Sequence, residues 1–223
     1  VGMTLRFLRY LKLDLSYYNT LTYNQTFDSQ LSVSSGYSKL YVQTGSVTNS
    51  GIEAALGFSN NWNKFGWSSD ITFSANKNEI EALMEDYVHP ETGVKVSLSE
   101  LKVGGLGNAV FLLRPGGPLG DLYTHVDLVR DANGMIYVND KGDVARDTDG
   151  RYRKIGSVLP KANFGWSNEL SYGGLNLGFM FTARLGGIVY SATQAFMDYY
   201  GVSAATAEAR DNGFVTINGS DRI

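Results

Sequence analysis

Three stretches of the chain hold residues whose types and spacing could do chemistry. Asp147-Thr148-Asp149-Gly150 has the spacing of part of a calcium loop, in which alternate acidic side chains and one glycine wrap a hard cation. The full loop also needs an acidic ligand two residues before Asp147 and a bidentate Glu six residues after Gly150. Ala145 and Gly156 stand there, so a turn fits better than a metal site. Gly104-Gly105-Leu106-Gly107 is glycine-rich like a phosphate loop, yet no Gly-Lys-Ser/Thr follows and no βαβ pattern surrounds it. His125 lies two residues from Asp127, but no nearby serine has the strand-turn-helix setting of a hydrolase nucleophile. The two His are too far apart for a local metal motif. These residues predict no enzyme, no cofactor and no metal centre.

Composition narrows the classes further. With no Cys there is no disulfide scaffold, thiolate chemistry or Cys-based zinc site. The formal net charge is -3 with both signs scattered, so no basic face invites nucleic acid. Glycine reaches 26 of 223 residues, above the usual ~7%. Tyrosine numbers 14 and charged residues only 18%, a balance that suits strands and loops better than helices. No run of apolar residues is long enough for a transmembrane helix. Arg6, Arg9, Lys12 and Asp14 interrupt the N-terminal apolar residues, which argues against a signal peptide there. We read the chain as a piece of something longer.

Five runs alternate apolar and polar residues with period two, the signature of half-apolar strands. Leu11, Leu13, Leu15 and Tyr17 form the apolar side of the first. Ile52, Ala54, Leu56 and Phe58 form that of the second, and Phe65, Trp67, Ile71, Phe73 and Ala75 that of the third. Phe164, Trp166, Leu170 and Tyr172 follow in the fourth, with Asn168 the one misfit. Leu175, Leu177, Phe179, Phe181 and Leu185 complete the fifth, where Met180 breaks the polar side. The expected strands are about 10–23, 51–59, 65–78, 162–172 and 175–187. An antiparallel soluble sheet gives this pattern, and so does a transmembrane barrel with lipid on one side and a lumen on the other.

The connections favour the barrel. Runs two and three are joined by the short stretch 60–64, and runs four and five by Gly173-Gly174, a two-residue hairpin signal. The other connections, 24–50, 79–161 and 188–223, are long. Strict alternation of short and long links is what periplasmic turns and extracellular loops produce. Phe58, Trp62, Phe65 and Trp67 cluster about one short turn and Tyr172 flanks the other, where an interfacial aromatic girdle belongs. The predicted fold is therefore all-β: antiparallel strands of a transmembrane β-barrel segment, with long extracellular loops carrying small hairpins. Asp14, Glu53, Asp70, Glu169 and Arg184 fall on the polar sides of their strands and become the candidate lumen-facing residues. In a soluble sheet they would simply be solvated.

Within the loops, residues 79–85 suggest one or two helical turns and 194–208 a helix. Residues 131–150 repeat a turn grammar around the short strand Met135-Ile136-Tyr137-Val138, so small hairpins are expected. Ile136, Tyr137, Val138, Tyr152 and Ile155 supply apolar surface for them to bury. The glycine-rich stretch 104–120 is the expected moving element.

Several phrases then add up. Tyr17-Tyr18-Asn19-Thr20, Asn49-Ser50-Gly51-Ile52-Glu53, Phe65-Gly66-Trp67 with Asn76-Lys77-Asn78-Glu79-Ile80, Gly116-Gly117-Pro118-Leu119-Gly120 with Tyr123, Ile155-Gly156 with Pro160, Arg184-Leu185-Gly186-Gly187 and Arg210-Asp211-Asn212-Gly213 occur in that order. Together they resemble the SusC/RagA family of TonB-dependent transporters, a Bacteroidota-type family. The resemblance implies a 22-stranded outer-membrane barrel with an N-terminal plug, in the cell outer membrane of a Gram-negative bacterium. It implies import of oligosaccharides or peptides (a glycan or peptide substrate), a SusD-like surface lipoprotein as partner, and TonB acting through an N-terminal region this chain does not include. Membrane lipid would be the other contact. The chain would then be an internal segment of about five membrane strands. The competing reading is a soluble all-β carbohydrate- or peptide-binding, adhesin-like module.

Overall fold

The computed structural model describes residues 1–30, 39–88, 93, 95–219 and 221–222. Its main element is an antiparallel sheet of six strands: β1 (Gly2–Phe7), β2 (Leu11–Gln30), β3 (Lys39–Trp62), β4 (Phe65–Ala82) and, after a long excursion, two more. The excursion contains β5 (Met84–Val88), β6 (Lys95–Leu98), β7 (Leu101–Leu106), β8 (Ala109–Leu113), β9 (Asp121–Thr124), β10 (Asp127–Leu128), β11 (Arg146–Asp147) and β12 (Arg153–Ser157). The sheet resumes with β13 (Ala162–Tyr172) and β14 (Leu175–Leu185). Helices α1 (Ala192–Tyr199) and α2 (Ala204–Asn212) follow, then the small pair β15 (Thr216–Ile217) and β16 (Asp221–Arg222). The sheet order is β1-β2-β3-β4-β13-β14.

Register converts the alternation into two faces. Leu5, Leu13, Leu56, Ile71, Trp166 and Phe181 sit opposite one another strand by strand, forming one continuous apolar row. Met3, Leu15, Ala54, Phe73, Phe164 and Ala183 form the next. These side chains are not packed against a second layer: Leu5, Leu56, Ile71, Phe73, Trp166 and Phe181 are all exposed. A contiguous apolar surface of this extent needs a nonaqueous neighbour. The band runs from the Trp62, Phe65, Tyr172 and Leu175 row to the row of Ile52 and Ala75. Ten residues at ~3.3 Å each give about 33 Å along the strand. At the usual barrel tilt this stands about 25 Å tall, the height of a membrane barrel's apolar band.

The short turns share one rim. Ser59 N–H donates to Tyr10 O at 2.9 Å and Gly173 N–H to Lys64 O at 3.3 Å, linking neighbouring turns. Rings gather there as expected. Phe58 contacts Tyr10, Trp62 and Trp67 at centroid distances of 5.7, 6.1 and 4.9 Å, and Trp62 stacks on Phe65 at 5.9 Å. Asn168, the misfit on the apolar face, is buried and accepts a hydrogen bond from Trp67 Nε1 at 3.3 Å.

Several expectations change. The sheet has six strands, not about five, because Gly2–Phe7 pairs with β2 through the tight link at 8–10; the alternation of short and long connections survives the addition. The 24–50 stretch is largely the continuation of β2 and β3, paired as far as Gln30 and Lys39 with register shifts between Thr22 and Thr26. The tip of that hairpin lies outside the described residues. Residues 79–85 form no helix: Ile80 belongs to β4 opposite Val47, and β5 begins at Met84. The helix expected at 194–208 is two helices. Gly201, at φ 70, breaks the run, and Ser203 starts α2 with a capping box to Thr206.

Two compact units organise the chain. Residues 1–103, 112–121 and 156–188 make the first, and 104–111, 122–155 and 189–223 the second. In the first, Val47, Ile80, Leu83, Leu101 and Leu113 form a buried cluster, with Leu98, Val103 and Leu119 packed against it. The later part of the glycine-rich segment is hydrogen-bonded to β4 here. Ile80 N–H donates to Gly117 O at 2.9 Å, Gly116 N–H to Ile80 O at 2.8 Å, and Leu119 N–H to Asn78 Oδ1 at 2.8 Å.

The second unit is built from turns more than from burial. Asp131 Oδ1 accepts from the backbone N–H groups of Asn133 and Met135, and Asn139 Oδ1 from those of Lys141 and Asp143. These are Asx turns. Between them the expected hairpins reduce to β10 pairing β11 and to single bridges, Arg130 with Ile136 and Val138 with Val144. Tyr137 and Ile155 stay exposed. A side chain does what a neighbouring strand would do elsewhere: Asn218 Oδ1 accepts from Ile136 N–H at 3.0 Å and its Nδ2 donates to Ile136 O at 2.8 Å.

Candidate functional site

The polar face of the sheet gathers the candidate residues. Ser16, Glu53, Ser74, Asn163 and Arg184 occupy one register row, and Asp14, Ala55, Thr72, Gly165 and Thr182 the next. These two rows line a shallow trough of about 590 Å³. Glu53 and Arg184 stand three strands apart, roughly 14 Å at normal strand spacing. Their opposite charges therefore mark two sides of the trough without forming a pair. Asp14 accepts from Thr4 Oγ1 at 2.6 Å and meets Lys12 Nζ at 2.6 Å. Arg184 Nη2 donates to Val158 O at 2.7 Å.

Asp70 lies one row closer to the short turns, in a second hollow of about 450 Å³ shared with Arg6, Arg9 and Lys12. Glu169 sits on the same face beyond both hollows, opposite Ser68. The register thus groups Asp14, Glu53 and Arg184, sets Asp70 beside them and leaves Glu169 apart. Arg6, Arg9 and Lys12 were not singled out from the sequence. The signal was present in Arg6 and Lys12, which have the parity of Asp14 across the β1–β2 turn.

Between the charges the face is low. Gly57 lies under Asp70 Oδ1, and a Cβ there would come within 2.8 Å of it. The trough rows are otherwise Ser, Thr, Asn, Ala and Gly, so their chemistry is hydrogen bonding and charge placement. No acid, base and nucleophile converge in it. Among the described residues no group of three or more His, Asp or Glu could hold a metal ion.

The second unit offers a different surface. Leu106, Tyr190, Phe196 and Tyr199 line an apolar hollow of about 290 Å³, while Tyr200 and Val202 stand exposed. Arg153 bridges Asp147 at 2.5 Å and Asp149 at 2.7 Å, so the pseudo-calcium stretch is closed by a guanidinium. Asp127 is paired with Arg130, and the hydrogen bond from that guanidinium holds its carboxyl below the ordinary aspartate value.

Known proteins match this architecture. The chain is 28% identical over 194 residues to TonB-dependent receptor P26 of Formosa agariphila, covering 80% of this chain and 19% of that protein. It is 24% identical over 201 residues to TonB-dependent receptor P3 of the same organism, covering 82% of this chain and 19% of that protein. The RagAB peptide importer in its closed-closed state superposes with a TM-score of 0.59 at 20% identity, over 83% of this chain and 20% of that one. A further structure of the RagAB peptide transporter gives 0.58 at 20% identity, over 81% of this chain and 20% of that one. In sequence and in fold the chain is similar to a barrel segment of TonB-dependent receptors. No family model matches it. The chain spans about a fifth of the length of the curated relatives it matches. Its six strands are part of an antiparallel transmembrane barrel wall with long loops at one end. The relatives are receptors and transporters, not enzymes.

Proposed function

We propose that this chain is wall and outer loops of an outer-membrane transporter that imports oligosaccharides or peptides. In that reading TonB supplies energy through a region outside this chain, and a SusD-like surface lipoprotein shares the outer loops. The observation that carries the reading is the unpacked apolar band about 25 Å tall, backed across the same strands by a polar trough holding Asp14, Glu53 and Arg184. A wall of this kind holds lipid on one side and a hydrated passage on the other. Asp14, Glu53, Asp70, Glu169 and Arg184 then face the lumen. The aromatic hollow beside Phe196 and Tyr199 and the turn-rich stretch 131–150 are the candidate surface for solute or lipoprotein.

The test is made on the full-length protein. It should sediment with outer membranes and leave them only in detergent, and deleting its gene should abolish growth on at least one defined glycan or peptide source. Removing residues 131–150 should leave barrel assembly intact while lowering uptake or lipoprotein capture. Recovery as a soluble monomer without detergent would favour the adhesin-like module.

A further inference from the structure

The polarity of the two faces exchanges partway along β3 and β4. Within the apolar band, Leu56, Ile71 and Phe73 point outward and Glu53, Asp70 and Thr72 inward. Beyond Gly51 and Asn76 the order reverses. Ser50 with Lys77 and Thr48 with Glu79 take the outward positions, where Lys77 pairs with Glu79 at 2.5 Å and Thr48 Oγ1 donates to Glu81 at 2.7 Å. The inward positions pass from the Asn49–Asn78 pair to Val47 and Ile80. No register shift interrupts the pairing between Trp62 and Val47, so the strands have not rolled over. The sequence pattern has slipped by one while the geometry continued.

Val47 and Ile80 are 1% and 0% exposed because Leu101 and Leu113 cover them. Residues 98–103 and 112–121 therefore rest on the inward side of the wall, immediately past the band. Their attachment is that of a packed layer. Arg114, Pro115, Gly116 and Gly117 form a tight turn closed by Gly117 N–H to Arg114 O at 3.0 Å, with Gly116 at φ 79. Proline second and a positive-φ glycine third are the type II signature. The turn occupies the β4 edge above the point where β13 departs, bonding Ile80 in both directions. Asn78 joins the layers, donating to Asn49 Oδ1 at 2.9 Å and accepting from Leu119 N–H at 2.8 Å. Gly120 O accepts from Val158 N–H at 2.9 Å, and Arg114 binds Glu100 at 2.8 Å.

We propose that residues 98–103 and 112–121, anchored on Val47 and Ile80, form a fixed ledge on the channel side of the wall just outside the membrane, and that this ledge sets the largest solute admitted along it. The inference rests on the transporter reading. Below the ledge the trough carries Ser74, Thr72 and Ala55 between the flanking Glu53 and Arg184, so the ledge is a bulky step above a low stretch of wall. Buried apolar contacts and backbone hydrogen bonds make it a steric stop rather than a swinging lid.

The experiment measures uptake of two ladders, labelled oligopeptides and labelled oligosaccharides of increasing length, by cells carrying the full-length protein. Leu101→Ala with Leu113→Ala loosens the ledge core, and Asn78→Ala removes the hydrogen bond to Leu119 while leaving every core side chain in place. Assembly is followed by the gel-mobility shift of the folded barrel. Both variants should assemble, keep uptake of short rungs at the parental level and move the cut-off to longer rungs. If the double variant fails to assemble, Asn78→Ala alone decides. An unchanged cut-off in an assembled variant overturns the ledge. A parent that takes up no rung of either ladder overturns the transporter reading instead.

Discussion

From Trp62 to Ile52, and from Phe65 to Ala75, the outward positions of β3 and β4 are chiefly Phe58, Leu56, Ile71 and Phe73; a few residues further on, the same side of the same strands carries Thr48, Lys77 and Glu79. The hydrogen-bonded ladder is continuous across the change, and residue-level strand preference does not alter there. What alters is the neighbour. Lipid rewards apolar side chains outside, whereas beyond the band water covers the outer face and the ledge offers a dry surface inside. One ladder thus serves two solvents, and the switch near Asn76 and Asn78 locates the boundary.

The sharpest way to break this comparison is to attack the buried side of the upper half. Ile80→Ala should cost about 2–5 kcal/mol, the usual range for truncating a fully buried aliphatic. Its outward neighbour Glu79, changed to Ala, should stay within ~0.5 kcal/mol, as surface positions do. Urea titration of the gel-mobility shift in the full-length protein would measure both. Equal small effects would mean that the upper inward face is not packed.

The lower half gives the mirror test. Phe73→Arg places a charge near mid-band on the outward face and should cost about 2–4 kcal/mol of barrel stability. Thr72→Arg, one residue away and on the trough side, should assemble nearly as well as the parent. Equal damage from both would mean that both faces are packed, and the membrane wall would give way to a layered soluble sheet.

Much of this was legible in the residues. Alternation at Leu11–Tyr17, Phe65–Ala75 and Leu175–Leu185 placed the faces, and the glycine pair at 173–174 placed a turn. β1 escaped notice because Met3, Leu5 and Phe7 give only three apolar positions, and its identity depends on pairing with β2. Ile80, Leu83 and Met84 stand at helical spacing, yet Ile80 is held as strand by Val47 and by Gly116 and Gly117. Those partners are distant in sequence, so no local window contains them. The exchange of faces itself was readable. Phe73 and Ala75 have odd parity and Ile80 and Ala82 even, a slip visible once β4 is followed past Asn76 as a single strand. The trough was only half legible: side was given by parity, but the grouping of Glu53 with Arg184 needs β13 to intervene between β4 and β14.

The ledge and the turn-built stretch at 127–153 should also answer differently to acid. The ledge core is Val47, Ile80, Leu83, Leu101 and Leu113, with nothing in it to titrate; the carboxylates Glu100 and Asp121 of the ledge segments lie outside that core. The other stretch depends on carboxylates that accept from backbone N–H groups and guanidinium donors. Asp127 is the clearest case. Arg130 stabilises its charged form, so its folded value lies below the unfolded one. The stabilisation is therefore complete above the ordinary aspartate value and is lost as pH falls through the lowered folded value. Since both partners are partly exposed, the contribution is at most ~1 kcal/mol. Hydrogen exchange in the full-length protein, followed from neutral pH to below the ordinary aspartate value, should show Val129 and Tyr137 amides losing protection while Ile80 keeps it. Asp127→Asn should lower protection of those two amides at neutral pH and flatten their acid dependence. Protection at Val129 and Tyr137 that ignores both pH and the substitution would mean that the paired charges contribute nothing there, and that the Asx turns and the Asn218 amide hold the stretch without them.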